Sequence, residues 1–280
     1  MVSPESLIKG MIAYAHEAGA IAYNRQTTAK ASLKSDNTYV TEVDLELSEL
    51  AVERLSHFVS PEHIVTEESD TQVLESGSFV KGAEDLVLIV DPIDGTRNYY
   101  HGMPLYGISI GAFYGWKPWL GVVTFPALDE TFYADGTNAV YIEGPYRGAA
   151  RELALTSSSS ELTENSRVLL STSFMKKRQW DYTVCSALVT GCVAINSCWP
   201  LLGRGVASIY SDYLWDIAGS WPILQHSGFE MRGVDSERLL TDYCSSDYAP
   251  ESGRTVEPML ICRPEHFATL QKGAGGETTT

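Results

Sequence analysis

Two aspartates set three residues apart carry the strongest chemical signal in the chain. Asp91 and Asp94 follow the unbroken apolar run Leu86-Val87-Leu88-Ile89-Val90, with Pro92 and Ile93 between them and Gly95 directly after. The run predicts a strand buried on both faces. Carboxylates at the end of a buried strand are costly unless a counter-charge meets them. Hard oxygen donors suit Mg²⁺, Mn²⁺ or Ca²⁺. Two further acidic turns stand out: Glu67-Glu68 after Ile64-Val65-Thr66, and Asp216 after Leu214-Trp215. Such a set is what two-metal phosphoryl transfer requires, with one carboxylate bridging two cations and others completing their shells. The proline stiffens the turn, and its backbone carbonyls offer additional hard ligands.

Other chemistries find weaker support. Gly107-Ile108-Ser109-Ile110-Gly111 has the spacing of a nucleophile elbow, but an elbow needs a strained strand-to-helix turn. Two isoleucines flank Ser109 inside an alternating pattern, so an ordinary strand is expected, with glycines where something packs closely. No P-loop, His-Glu-x-x-His or dinucleotide fingerprint occurs, and the six histidines are scattered. Five cysteines, an odd number without a Cys-x-x-Cys pair, suggest neither a disulfide framework nor a zinc site. The formal net charge of −16 argues against a nucleic-acid binder. It also sharpens the metal argument, since an acidic cleft repels a phosphorylated substrate unless cations reverse the local sign. The start Met-Val-Ser-Pro-Glu lacks the basic region and apolar core of a secretory leader, and no apolar stretch reaches bilayer length. A soluble cytoplasmic protein without membrane partners is the expectation.

The elements that must position these acids can be read in outline. Residues 4–23 predict an amphipathic helix, with Leu7, Ile8, Met11, Ile12 and Ala15 on one face. A polar, basic loop follows to Asn37. Thr41-Glu42-Val43-Asp44 opens a second helix as a variant capping box, which by itself accounts for Asp44. Residues 105–142 predict a β-meander. The Gly/Ser-rich stretch 143–166 reads as the best internal boundary. Beyond it come a strand at 167–172, a helix around 178–190, and short strands near 193–196 and 206–210. A helix at 216–225 is either kinked by Pro222 or carries it in its first turns. A strand at 258–262 and a short helix near 265–271 follow. The Gly/Thr tail 273–280 is expected to be disordered.

Here the residues meet a known family. Asp91-Pro92-Ile93-Asp94-Gly95-Thr96, with Asn98 following, resembles the signature of the inositol monophosphatase family of Mg²⁺-dependent, lithium-sensitive phosphatases. Lys34 ahead of Val40-Thr41-Glu42-Val43-Asp44, Thr66-Glu67-Glu68-Ser69, the Gly107–Gly111 stretch and Trp215-Asp216-Ile217-Ala218-Gly219 agree in order and spacing. The resemblance spans about residues 7–270. It implies an α+β fold, a layered αβαβα sandwich of the inositol monophosphatase/fructose bisphosphatase type. It also implies a single catalytic domain over 1–272 in two halves, about 1–145 with most metal ligands and about 146–272.

By resemblance, Glu67 and Asp91 bind a first Mg²⁺ with the Ile93 carbonyl, and Asp91 bridges to a second held by Asp94 and Asp216. Glu67 also touches a third, looser site near Lys34. Two to three Mg²⁺ ions, replaceable by Mn²⁺ and inhibited by Li⁺ and Ca²⁺, follow from the family, as does a homodimer. Thr96 and Asp44 orient and deprotonate the attacking water, and the Gly95 and Thr96 N–H groups hold phosphate. Two departures stand out. Thr66 occupies a position usually held by glycine. Seven residues before Asp216, where inositol phosphatases carry a hydroxyl-reading glutamate, stands Ile209. Asp212 is the candidate replacement, and Gly191, Cys192 and Val193 match the family's other substrate-contact turn loosely. The expected substrate is a small polyol phosphate, foremost inositol monophosphate. Histidinol phosphate, fructose bisphosphate and 3′-phosphonucleotides are alternatives, of which Arg97-Asn98 disfavours the last. A non-catalytic member of the fold is the remaining reading, and the completeness of the acid set speaks against it.

Overall fold

The computed structural model of the chain describes residues 2–34, 38–68, 86–155, 161–243, 247–249 and 253–277. A seven-stranded sheet runs in chain order through Ile64–Thr66, Leu86–Asp94, Gly107–Tyr114, Lys117–Phe125, Glu130–Ala134, Ala139–Glu143 and Arg151–Ala154. A five-stranded sheet has the order Ser186–Leu188, Arg167–Leu170, Ala207–Tyr210, Met259–Cys262, Glu230–Gly233.

Alternation along the central strand Leu86–Asp94 assigns the two faces of the larger sheet. Leu88 and Val90 enter a core with Leu7, Met11, Ala15, Val43, Leu47 and Ala51 from the helices Pro4–Arg25 and Glu42–Leu55. Val87 and Ile89 enter a second core with Leu214, Ile217, Trp221 and Leu224 from the helices Leu214–Ala218 and Ser220–His226. That core continues through Tyr210, Met231 and Ile261 into the smaller sheet. The smaller sheet's other face packs on Phe174 and Leu270 from the helices Thr172–Lys177 and Phe267–Gly273. The result is an α+β sandwich layered helix, sheet, helix, sheet, helix. Each fully buried Leu or Ile in these layers contributes roughly 1.5–3 kcal/mol.

The middle helical layer sits close because glycines allow it. A Cβ on Gly111 would lie 2.3 Å from the Ala218 carbonyl oxygen, and one on Gly121 would lie 2.1 Å from the Gly219 carbonyl oxygen. On its own side, a Cβ on Gly219 would lie 2.5 Å from the Val122 carbonyl oxygen. The Asp216-bearing helix is therefore seated directly on the strands beside Asp91.

Several expectations require correction. No helix covers 178–190. The helix is earlier, at Thr172–Lys177, followed by the strand pieces Arg178–Gln179 and Ser186–Leu188. Asp181 captures the Thr183 N–H and hydroxyl at 2.9 and 2.7 Å, a local turn that competes with helix. Residues 193–196 are not a strand but the start of the helix Val193–Cys198. The helix expected at 216–225 is two short helices meeting at Gly219, with Pro222 in the first turn of the second. The basic loop contains the short strand Ala31–Leu33, paired with Tyr39–Thr41. The 143–166 stretch includes the edge strand Arg151–Ala154, while its serine run 157–160 lies outside the described residues. The tail begins ordered, since Gly276–Glu277 pairs antiparallel with Arg178–Gln179. Residues 278–280 lie outside the described residues. Cys185, Cys192, Cys198 and Cys262 are free and buried, and no described helix is long and apolar enough to cross a membrane.

Candidate active site

Strand register brings the first acids together. Ile64–Thr66 runs parallel to the central strand with Thr66 opposite Val90, and the Glu67 N–H donates to the Val90 carbonyl. Glu67 and Asp91 thus leave the same ends of two adjacent parallel strands. Asp91 shares its strand face with Val87 and Ile89, so it points toward the middle helical layer. Between Asp91 and Asp94 the register shifts, which lets both acids turn toward one site. Gly95 then reverses the chain at φ 88°, where a Cβ would lie 2.9 Å from the Leu105 carbonyl oxygen. Thr96–Tyr100 follows as a short helix.

The second half contributes Asp216. Ser109, opposite Asp91 in the ladder, donates to the Trp215 carbonyl at 3.1 Å and accepts from the Gly219 N–H at 3.1 Å. The Ser109 hydroxyl is fully buried and spent in fixing the Asp216 helix, which disposes of the elbow reading. Ser109→Ala is expected to lower the melting temperature, because two buried backbone groups lose their partner at about 1–3 kcal/mol. A hydrolytic rate reduced less than about tenfold at saturating metal would accompany it, whereas loss of a nucleophile would cost several orders of magnitude. Thermal melts and initial rates of the variant check this.

Carboxylate oxygens of Asp91, Asp94 and Asp216 all lie within 4.8 Å of one another. Asp91 Oδ1 accepts from the Ile93 N–H at 3.0 Å, but its buried Oδ2 has no hydrogen-bond partner. Asp94 Oδ2 accepts from the Ala194 N–H at 2.5 Å and from the Cys192 thiol at 3.1 Å. Asp216 Oδ2 accepts from the Tyr213 N–H at 2.9 Å. Burial and the charges of Glu67, Asp94 and Asp216 hold the Asp91 carboxyl well above its ordinary range. Burial, Asp94, Asp212 and Glu67 do the same to Asp216. Burial pushes Asp94 up to about 6 against the pull of its donors, and Glu67 up to about 7 despite Lys34. Buried like charges with an orphaned oxygen among them fit a hard divalent cation, which would satisfy Oδ2 and offset the repulsion.

Lys34 donates to Glu67 Oε1 at 2.9 Å and to Glu68 Oε1 at 2.6 Å. Burial lowers its affinity for a proton, but the two glutamates outweigh burial and hold the ammonium firmly charged.

Asp44 does two jobs. Its Oδ2 accepts from the Thr41 N–H at 2.9 Å and from the Thr41 hydroxyl, completing the capping box of its helix. Its Oδ1 lies 3.1 Å from Thr96 Oγ1, which also lies 3.0 Å from the Ile93 carbonyl oxygen. The capping explanation of Asp44 is correct and incomplete. Burial raises Asp44 to about 6 although its Thr41 donors oppose the shift.

Glu67, Asp91, Ile93, Asp94, Thr96 and Asp216 line a cleft of about 330 Å³ together with Gly95, Cys192, Val193 and Asp212, and Asp44 meets it through Thr96. All the acids expected at the site converge, and Lys34 reaches it through Glu67. Ile209, by contrast, is fully buried in the strand Ala207–Tyr210 and contributes nothing to the cleft. Lys176, Arg254, Ser171 and Tyr39, on which no expectation was placed, also line it. No short motif surrounds any of them.

A profile of the inositol monophosphatase family matches residues 3–263. The chain belongs to the inositol monophosphatase family. A fructose-1,6-bisphosphatase/inositol-1-monophosphatase of Thermotoga maritima is 30% identical over 196 residues, 68% of this chain and 69% of that protein. A histidinol-phosphatase of Chlorobaculum parvum is 30% identical over 220 residues, 74% of this chain and 80% of that protein. The fold is shared with a solved staphylococcal inositol monophosphatase-1 in a LiCl-soaked inhibitory complex. That comparison has a TM-score of 0.76 at 18% identity and covers 99% of this chain and 98% of that one.

Proposed function

We propose that this family member is a Mg²⁺-dependent phosphomonoesterase acting on a small phosphorylated alcohol. The observation that carries the reading is the buried triad Asp91, Asp94 and Asp216, whose central acid keeps one oxygen unpartnered. Asp91 would hold two cations between its oxygens, Glu67 and the Ile93 carbonyl would complete one shell, and Asp94 and Asp216 the other. Cations there would supply Lewis-acid polarisation of the phosphoryl group and charge neutralisation for the departing alkoxide.

The chain's own groups then orient and move protons. The Gly95 and Thr96 N–H groups point phosphate oxygens across the turn. As the water attacks, its proton moves to Thr96 Oγ1 while the Thr96 hydroxyl proton moves to Asp44 Oδ1, so that Thr96 ends neutral and Asp44 carries the proton. With its carboxyl near 6, Asp44 is mostly ionised at neutral pH and suited to take that proton. No covalent phosphoenzyme is needed. The Cys192 thiol, kept protonated by burial and the adjacent Asp94 charge, remains a donor that fixes the Asp94 orientation.

Inositol monophosphate heads the substrate class, and histidinol phosphate is the alternative supported by the Chlorobaculum relative. A cytoplasmic homodimer, with two or three Mg²⁺ per site, replacement by Mn²⁺ and inhibition by Li⁺ and Ca²⁺, belongs to the same reading. The test is a panel of phosphate esters assayed with Mg²⁺ and with chelator. Phosphate release that requires Mg²⁺ is the expected result. Release unaffected by chelator, or absent from every ester, would overturn it.

A further inference from the structure

Asp94 owes its orientation to a segment 98 and 100 residues further along the chain, where the Cys192 thiol and the Ala194 N–H donate to its Oδ2. Both donors belong to the turn Thr190-Gly191-Cys192 and the helix Val193–Cys198 that follows it. Two donors on Oδ2 fix the plane of the carboxylate, and with it the direction of Oδ1. Whatever fixes the turn therefore fixes Asp94.

Thr190 is buried, and its side chain closes that turn. Gly191 takes φ 77°, so the residues on either side of it fold back toward each other. Thr190 Oγ1 accepts from the Cys192 N–H at 3.2 Å across the bend. The Cys192 carbonyl, 2.9 Å from the same oxygen, already accepts from the Asn196 N–H at 3.2 Å. The hydroxyl proton is thus left for Asn196 Oδ1, at 2.6 Å. Asn196 is fully buried one turn into the helix, so the hydroxyl ties the helix to the residue that precedes the bend.

The Thr190 backbone faces the other half of the site. Asn98 Nδ2 donates to the Thr190 carbonyl at 2.8 Å and to the Leu105 carbonyl at 2.7 Å. Asn98 lies in the helix Thr96–Tyr100, two residues after Thr96. The two turns also touch, since a Cβ on Gly95 would lie 3.2 Å from Cys192 Cβ. One buried threonine joins the segment that carries Thr96 to the segment that holds Asp94.

We propose that Thr190 is a positioning residue, whose hydroxyl sets the Cys192 and Ala194 donors on Asp94 and so presents Asp94 to a divalent cation. This rests on the metal-dependent reading above and adds to it the side chain that preorganises one ligand.

The test sets Thr190→Val, which keeps the size and removes the hydroxyl, beside Thr190→Ser, which returns it. Ser227→Ala is the control, because it deletes a buried hydroxyl bonded at 2.8 Å to the Ile223 carbonyl, away from these turns. In calorimetric titration of Mn²⁺ into the metal-free protein, Thr190→Val should weaken binding about tenfold, with Thr190→Ser near parental and Ser227→Ala unchanged. Amide hydrogen exchange at Ala194, read without metal, should quicken about tenfold in Thr190→Val alone. With an ester at saturating Mg²⁺, kcat should fall about tenfold while KM stays within about twofold. Mn²⁺ affinity and Ala194 exchange that Thr190→Val leaves unmoved, that Ser227→Ala moves equally, or that Thr190→Ser fails to restore, overturn the proposal. If Thr190→Val does not fold, Thr190→Ala carries the same readouts. If no ester is hydrolysed, the phosphatase reading fails, and Mn²⁺ binding and Ala194 exchange still decide this one.

Discussion

Asp91→Asn is expected to yield an enzyme that is inactive and, without metal, more heat-stable than its parent. The amide keeps the oxygen that accepts from the Ile93 N–H, so the turn retains its internal bond. What changes is charge. Asp91 is buried among Glu67, Asp94 and Asp216, and those neighbours, after burial itself, are what raise its affinity for a proton. A neutral side chain removes that repulsion and donates its N–H₂ toward the surrounding carboxylates. Relief of even ~1 kcal/mol moves the melting temperature by about 2–4 °C in a domain of this size class. On the proposed function the same change also removes the anionic bridge between two cation positions, and Mg²⁺-dependent hydrolysis should fall by at least about a thousandfold, some 4 kcal/mol of transition-state stabilisation. Differential scanning calorimetry in chelator and initial rates in saturating Mg²⁺ measure both. A variant that melts lower without metal, or that keeps more than a tenth of parental activity, contradicts the assignment of Asp91 as the buried bridge.

The second large effect is a dependence of stability on pH that metal reverses. Glu67 is raised to about 7, Asp44 and Asp94 to about 6, and Asp91 and Asp216 well above their usual range. Each of these carboxyls holds its proton more tightly in the folded chain than in the unfolded one. Their contribution is therefore complete below about pH 4 and is lost as pH rises through 6 to 7 and beyond. The metal-free protein should melt progressively lower from about pH 6.5 to 8. Opposing groups do not act in that window. His16, lowered by burial, weakens the fold only as pH falls below its ordinary value, and Asp135 only in stronger acid. On the proposed function Mg²⁺ would bind the ionised ligands, so its stabilisation should grow over the same interval, reaching about 2.7 kcal/mol at a hundred times its dissociation constant. Melting curves across that range with Mg²⁺ and with chelator test both slopes. A metal-free melting temperature that rises with pH would refute the description of the acid cluster.

The central strand and its turn were readable because an unbroken apolar run, a proline and a glycine leave few alternatives. The capping box at Thr41 and Asp44 was readable for the same local reason. Asp44's second contact, to Thr96, lies 52 residues away, and no local pattern announces it. Asp216 had only Leu214 and Trp215 beside it, so its place in the site came from resemblance to a family. The helix Val193–Cys198 was misread because Val193 and Ile195 are β-branched and its first turn is capped by Asp94, 100 residues distant in sequence. Trp180, Val184 and Leu188 fall near helical spacing, yet the indole of Trp180 donates to the Cys185 carbonyl across a turn. Lys176 and Arg254 reach the cleft from segments that nothing in the local sequence distinguishes from solvated surface.

The glycine contacts that seat Ala218 and Gly219 on the strands also carry a consequence for synthesis. A ribosome releases Asp91 and Asp94 long before Asp216, and Ser109 must wait 106 residues for its partner at Trp215. A partly made chain therefore lacks Asp216, and on the proposed metal-binding reading its acidic hollow is incomplete. Competence arises only when the middle helices drop onto Gly111 and Gly121, so a bulkier residue at either glycine would act as an assembly defect. Such variants should accumulate as collapsed, metal-blind chains that excess Mg²⁺ cannot rescue.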